Sequence, residues 1–467
     1  MSLAWRLGLS ASLGGALLIL SAAAEALPRP ETFTLKNGME VLVITDRRAP
    51  VVTQQIWIKA GAADEPRGQS GIAHFLEHLM FKGTPSIPPG EFSKIIARNG
   101  GDDNAQTSED YTMYYERIAR DRLGLIMKMD ADRMANLRLD EKNVLSERDV
   151  IIEERRQRTD NNPGARLYER MMAMLHPHHP YGTPTIGWLS EMKTLSRQDA
   201  IDWYKARYAP NNALLVVAGD IDAAELKPLA EKYYGRLKPN PHLPPRVWTQ
   251  DPPQDVAMRV SLADPKVRQP SITRLYTSIS YGTVTKPLQA HALDLAGDIL
   301  GGSETSRLYR ALVEDKKLAV AAGASADTSG LGGGTFAVFA TPAEGVSLDT
   351  LEKAMDEVID DFLKTGPTAE ELARSKSEMV ASAVYAQDSQ ESLANIFGGS
   401  LAAGETVDAV VNWDKDIQTV SAAQVSEIAR ETLTLDHSVT GLLLPAPGAP
   451  ADDEPDEVPP LGAGPIR

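Results

Sequence analysis

Gly71-Ile72-Ala73-His74-Phe75-Leu76-Glu77-His78-Leu79-Met80 is the stretch on which the reading of this chain turns, because it places two histidines and a carboxylate within five residues. On an α-helix, positions four apart share a face, so His74 and His78 can present imidazole nitrogens to one point while Glu77 projects beside them. Two neutral imidazoles suit Zn2+. The order His-x-x-Glu-His inverts the commoner zinc-hydrolase helix and is itself a recognised signature of such enzymes. The plain alternative is a helix whose histidines are packed or solvated and whose glutamate faces water. With only 8 histidines in 467 residues, that coincidence is rare. A catalytic zinc takes three protein ligands, and this stretch offers two.

Working outward, the length predicts at least two domains. A formal charge of −16 disfavours nucleic acid and anionic membrane as partners. Arg6, the apolar run from Leu7 to Ala24 and the small-x-small segment Ala24-Glu25-Ala26 read as a secretory signal over residues 1–26. The alternative is an uncleaved membrane anchor, the one case in which a membrane would be a partner. Cysteine is absent, so the exported body depends on its apolar cores, and a bacterial periplasm is the expected location.

Apolar runs flank Lys36-Asn37-Gly38, the strongest short hairpin signal, and Val51 to Ala60 adds a strand. Ser70 is the expected N-cap of the histidine helix. A helix around Glu91 to Asn99 is followed by two strands containing Asn104-Ala105 and Tyr114-Tyr115, then by helices from about Arg120 to Asn136 and Asp140 to Arg158. The turn-rich segment His176-Pro177-His178-His179-Pro180 holds three histidines. Its prolines break any helical ligand geometry, so it reads as a solvent loop.

Residues 238–254 are proline-rich and have linker composition. They separate an N-terminal domain, 27–237, from a C-terminal domain, 255–445, that repeats the order of elements. Ser196, its helix and the strand at Leu214 correspond to Ser421, its helix and the strand at Val439. The expected fold is therefore α+β: two homologous αβ domains in tandem, each a mixed or antiparallel sheet packed with helices. The second copy has no His-x-x-Glu-His, and its corresponding helix carries only His291, read as an ordinary packed or surface residue. Residues 446–467 form an acidic, proline-rich tail too polar to bury a core.

A third ligand must come from elsewhere. Glu147-Arg148-Asp149-Val150-Ile151-Ile152-Glu153-Glu154 is the densest source of carboxylates, with Glu147 and Glu154 on one helix face. Spacing alone does not choose among Glu147, Glu153 and Glu154. With these residues in hand, the chain resembles the pitrilysin/insulinase family of inverted-motif zinc peptidases, in its half-length, processing-peptidase-like branch. The resemblance rests on His74-Phe75-Leu76-Glu77-His78, Phe81-Lys82-Gly83-Thr84, Gly100-Gly101 with Asn104-Ala105, Tyr114-Tyr115, and Glu147 to Glu154. It implies a metallopeptidase-like fold and one zinc per chain, held by His74, His78 and Glu154. It further implies Glu77 as the general base and Glu147 as the carboxylate that orients a histidine. Asn104 and Ala105 would lie on the edge strand that pairs with an extended peptide substrate. Phe75 either lines the adjoining pocket or is a core phenylalanine.

One departure stands out. Where the resemblance calls for Arg-x-x-x-x-Leu-x-Tyr in the second half, this chain has Val313 to Val320, with valine at both functional positions. That implies an inactive homologous partner subunit supplying Arg and Tyr. A reading from another class is a non-catalytic structural or binding subunit of the same fold.

Overall fold

The computed structural model describes residues 28–286 and 288–447. The stretch read as a signal peptide and nearly all of the acidic tail lie outside the described residues.

Eleven strands form two sheets: β1 (Glu31–Thr34), β2 (Glu40–Thr45), β3 (Val51–Ile58), β4 (Asp102–Thr107), β5 (Thr112–Ala119), β6 (Ala213–Gly219), β7 (Met258–Asp264), β8 (Ser271–Ser278), β9 (Ala319–Asp327), β10 (Gly334–Pro342) and β11 (Ser438–Pro445). The first half's helices are α1 (Ile72–Leu79), α2 (Glu91–Arg98), α3 (Leu123–Asn136), α4 (Glu141–Arg155), α5 (Pro163–Leu175), α6 (Leu189–Met192), α7 (Arg197–Arg207) and α8 (Ala223–Tyr233). Those of the second are α9 (Gln289–Gly301), α10 (Arg307–Tyr309), α11 (Leu348–Thr365), α12 (Ala369–Ala386), α13 (Gln390–Ala402), α14 (Val407–Thr419) and α15 (Ala422–Thr432).

The sheet orders are β1-β2-β6-β3-β5-β4 and β7-β11-β8-β10-β9. Each is mixed, with one parallel pair, β2 with β6 and β7 with β11, and otherwise antiparallel ladders. Setting β1 aside, the two orders coincide, and the structure is the two-domain α+β fold expected from the repeat. Asn37-Gly38 turns β1 into β2, with Glu31 opposite Val43 and Thr34 opposite Glu40. Gly38 takes a φ of +88 there, a conformation that favours glycine.

The central strands set the packing problem. All seven residues of β6, and all of β3 after Val51, are buried, so apolar layers must cover both faces of the sheet. On one face lie α1, α3, α7 and α8, enclosing Val52, Ile56, Ile72, Phe75, Leu76, Leu215 and Val217. The other face, made by Leu42, Ile44, Trp57, Met113, Leu214 and Val216, is covered by Leu393, Ala394, Phe397 and Ala402 of α13, and by Val410. That layer belongs to the second half. The exchange is reciprocal: α5 of the first half places Leu167, Met171 and Leu175 against Leu275 and Val439 of the second sheet.

The proline-rich segment contains neither helix nor strand and is strapped to the first half. Arg246 pairs with Asp64 and Asp110, and Pro244 O accepts from Arg207. The histidine turn is also not a solvent loop. His179 is only 5% exposed, and Asp251 Oδ1 accepts from the backbone of His178 and His179 while Asp251 Oδ2 accepts from His176 Nδ1. The prolines rule out helical ligation, but they also fold the turn back under Trp248 at the joint between halves.

Gly398 in α13 faces Trp57 so closely that a Cβ there would sit 2.3 Å from the indole ring. Gly398→Ala should destabilise the protein by about 1–3 kcal/mol through overpacking, read as a fall in denaturation midpoint. Residues 27–237 and 255–445 expressed separately should each be insoluble and should regain native circular dichroism when co-expressed. A soluble, cooperatively folded single half would contradict the exchanged layers.

Candidate metal centre

α1 is short and almost wholly buried, and its start is built differently from the N-cap expected at Ser70. Ser70 Oγ instead accepts from Trp188 N at 2.8 Å. The N-cap is Gly71, with φ +86, and a Cβ there would meet Ile186 O at 2.6 Å. The free N–H groups of the first turn go to Glu65, which accepts from Gly71 N at 2.8 Å and Ala73 N at 2.9 Å. A carboxylate at a helix N-terminus also meets the positive end of the helix dipole.

Ile72, Ala73, Phe75, Leu76 and Leu79 pack inward, which turns His74, Glu77 and His78 toward α4 and β4. Phe75 is fully buried in the N-terminal core, so packing is the role its position gives it. α4 starts at an Asp140 cap on Asn143 N and ends in a π-turn over Arg156–Asp160. Arg155 anchors that end, pairing with both oxygens of Glu169 and donating to Gly187 O at 2.7 Å. The neighbouring residue, Glu154, is thereby held against the histidines.

The geometry is compact. Glu154 Oε2 lies 3.3 Å from His78 Nε2 and 3.6 Å from His74 Nε2. A tetrahedral site with metal–ligand arms of about 2.0–2.1 Å has edges of about 3.3–3.4 Å, so these donors match a zinc-sized ion. Glu77 also brings one oxygen within 4.8 Å of the imidazole nitrogens, farther out than Glu154. His78 Nδ1 donates to Glu147 Oε1 at 2.9 Å, which fixes the ring orientation and turns Nε2 toward Glu154, where it can ligate once its proton is lost. Glu147 is buried and also pairs with Lys82. His74 Nδ1 is buried without a partner. Two imidazoles and a carboxylate converging through Nε2, Nε2 and Oε2 form the donor set zinc prefers, and the residues fit the ion.

The electrostatics favour a cation at this point. Burial, reinforced by the charge on His78, lowers His74 to a pKa of about 4. Burial also opposes protonation of His78, but its hydrogen bonds to Glu147 and Glu154, with the charge of Glu77, prevail and raise it to about 9. Glu154 would be raised by burial, yet the His78 hydrogen bond and the charges of His74 and Arg158 bring it down to about 2. Burial pushes Glu77 up to about 7, against a hydrogen bond from Thr107.

Asn104 and Ala105 lie on β4, an edge strand of the first sheet that among the described residues pairs with β5 alone. Asn104 Oδ1 accepts from Ala105 N at 2.9 Å. Three roles escaped the sequence reading, although Lys82 belongs to one of the quoted motifs. Thr107, at the end of β4, donates to Glu77 Oε2; Lys82 neutralises Glu147; Arg158 Nε lies 3.0 Å from Glu154 Oε1. The two-residue alternation from Ala105 to Thr107 was the available clue to the first. Lys82 and Arg158, each four residues beyond a site residue, were available by helical spacing.

Residues 40–187 match the family described as Insulinase (Peptidase family M16), and residues 194–379 match its Peptidase M16 inactive domain. The zinc protease PqqE of Helicobacter pylori is 30% identical over 445 residues, covering 94% of this chain and 98% of that protein. The probable mitochondrial-processing peptidase subunit beta of Schizosaccharomyces pombe is 32% identical over 223 residues, 48% of this chain and 49% of that one. A crystal structure of a protease from Helicobacter pylori has a TM-score of 0.83 at 29% identity, covering 90% of this chain and 100% of the other.

His78 must shed its proton before Nε2 can ligate, so apparent zinc affinity should rise about tenfold per pH unit between pH 5 and 8 and level off near the His78 pKa of about 9. Competition with a chromophoric chelator at each pH measures this, and a flat profile would contradict the proton-loaded state. Glu147→Gln should weaken zinc by about 10–100-fold in the same assay.

Proposed function

Because the chain belongs to the insulinase (peptidase M16) family, we propose that it is a zinc-dependent endopeptidase cutting peptides or unfolded segments laid along β4. The observation that carries this reading is the convergence of His74, His78 and Glu154 beside Glu77, which is hydrogen-bonded to β4, an edge strand of its sheet. His74, His78 and Glu154 would hold the ion. A bound zinc acts as a Lewis acid on a carbonyl and brings the pKa of water toward neutrality.

The rest is done by the chain's own groups. An extended peptide adds to β4 through main-chain hydrogen bonds, with Asn104 and Ala105 in the pairing segment. Glu77, raised toward neutrality by burial, takes a proton from the attacking water and returns it to the departing amine. Glu147 holds His78 in the ligating tautomer, and Lys82 keeps Glu147 charged.

The active site of this subunit is completed by another chain. Val313 lies in the turn Arg310–Asp315 and Val320 is 52% exposed on β9; neither side chain can hydrogen-bond a substrate or an oxyanion. The partner is an inactive homologue that contributes Arg and Tyr in a heterodimer. Export to a bacterial periplasm is supported by the composition of residues 1–26.

Zinc content and hydrolysis of internally quenched peptides, measured for wild type and Glu77→Gln with and without the partner, test the reading. Glu77→Gln should keep its zinc and lose about 10²–10⁴ of the rate, and the partner should accelerate wild type alone. Full activity in Glu77→Gln, or wild type that takes up no zinc, refutes the peptidase assignment. A wild-type rate indifferent to the partner refutes the heterodimer.

A further inference from the structure

We propose that Thr107 is the positioning residue that ties Glu77 to the peptide-binding edge, through the hydrogen bond from its hydroxyl to Glu77 Oε2; this rests on the peptidase reading of the same site. Thr107 is the last residue of β4 and stands opposite Thr112 of β5. The hairpin tip beyond it is clamped from several sides. Ser108 O and Glu109 O accept from Ala62 N and Ala63 N, each at 2.9 Å. Asp110 Oδ2 accepts from Tyr181 Oη at 2.7 Å and from Leu331 N, in the second half, at 2.8 Å. The hydroxyl that meets Glu77 therefore hangs from a frame fixed by both halves, and a peptide added to β4 would share that frame.

The second half supplies an internal comparison. Asp294 follows His291 by three residues, as Glu77 follows His74. Both of its oxygens are held, Oδ1 by Thr328 Oγ1 at 2.7 Å and Oδ2 by Tyr281 Oη at 2.8 Å. Asp294 is a buried strut with both oxygens engaged by side-chain donors. Glu77 is tied at one oxygen only, and no described side chain donates to Oε1. One restraint sets the orientation of the carboxylate and one oxygen remains for the water proton. Losing the restraint leaves zinc ligation intact, because Thr107 touches neither His74, His78 nor Glu154.

Thr107→Val removes the hydroxyl at nearly constant volume, and Thr107→Ser retains it. With an internally quenched peptide that wild type cleaves, Thr107→Val should lower kcat by at least about tenfold, with KM, zinc content and Tm unchanged, and Thr107→Ser should recover most of the loss. Cobalt-substituted protein gives a readout without turnover: the visible bands should shift in Thr107→Val and not in Thr107→Ser. If wild type cleaves and Thr107→Val equals it in kcat and cobalt spectrum, the tie is refuted and the peptidase reading survives. If wild type is inert even with the partner present but the cobalt bands follow the hydroxyl, the peptidase reading fails and the tie stands. A fall in Tm or zinc content shared by both variants assigns Thr107 a purely structural role and overturns the proposal.

Discussion

A sheet whose central strands are buried on both faces needs a layer on each side, and neither half of this chain supplies both. β3 and β6 expose no side to water, and α13 from the second half closes the face that α1 leaves open, while α5 returns the service. Everything at the metal centre depends on that closure. α1 is pressed onto β3 from one side only because Trp57, Leu214 and Val216 are covered on the other. α4, which presents Glu147 and Glu154, leads directly into α5, whose position is set by the second sheet. The joint between domains and the geometry of the donors are one packing problem.

Burial then sets the chemistry. Glu77, Glu147 and Glu154 crowd two imidazoles, and in a poorly solvated site such a surplus of negative charge must be answered by protons, nearby cations or a metal. Lys82 sits on Glu147 and Arg158 on Glu154. A divalent cation held by His74, His78 and Glu154 would take the place of the His78 proton, while these outlying cations would keep the carboxylates charged. Glu77 differs from the other two: it has no cation of its own and one hydroxyl partner, so burial raises its proton affinity into the range useful for proton transfer.

Much of this was legible in the residue order. The His-x-x-Glu-His spacing, the Asn37-Gly38 hairpin, the capped α7 and α15 and the repeated ending of each half use local signals whose physics is local, and they reappear in the structure. Glu154 was separable from Glu153 and Glu147 only by resemblance, because three carboxylates on one helix look alike until a neighbour is placed. What escaped is what distance decides. β9 and β10 went unread; β9, Ala-Val-Ala-Ala-Gly-Ala-Ser-Ala-Asp, has little intrinsic strand preference and is a strand because α9 presses it against β10, with Gly301 almost touching Ala324. The buried histidine turn and the Glu65 cap likewise depend on partners remote in sequence.

The exchanged layers also constrain when the first domain can finish folding. Gln55 Nε2 donates to Asn395 Oδ1, a pair separated by 340 positions, and that contact stands for the whole α13 layer. While the chain is being made, N-terminal residue first, the sheet that will carry the histidine helix has one apolar face bare until nearly four hundred residues have emerged. Non-local contacts of this kind slow folding and prolong the life of open intermediates. The first half cannot complete its packing during synthesis, so one face of its sheet stays uncovered until the helices of the second half arrive.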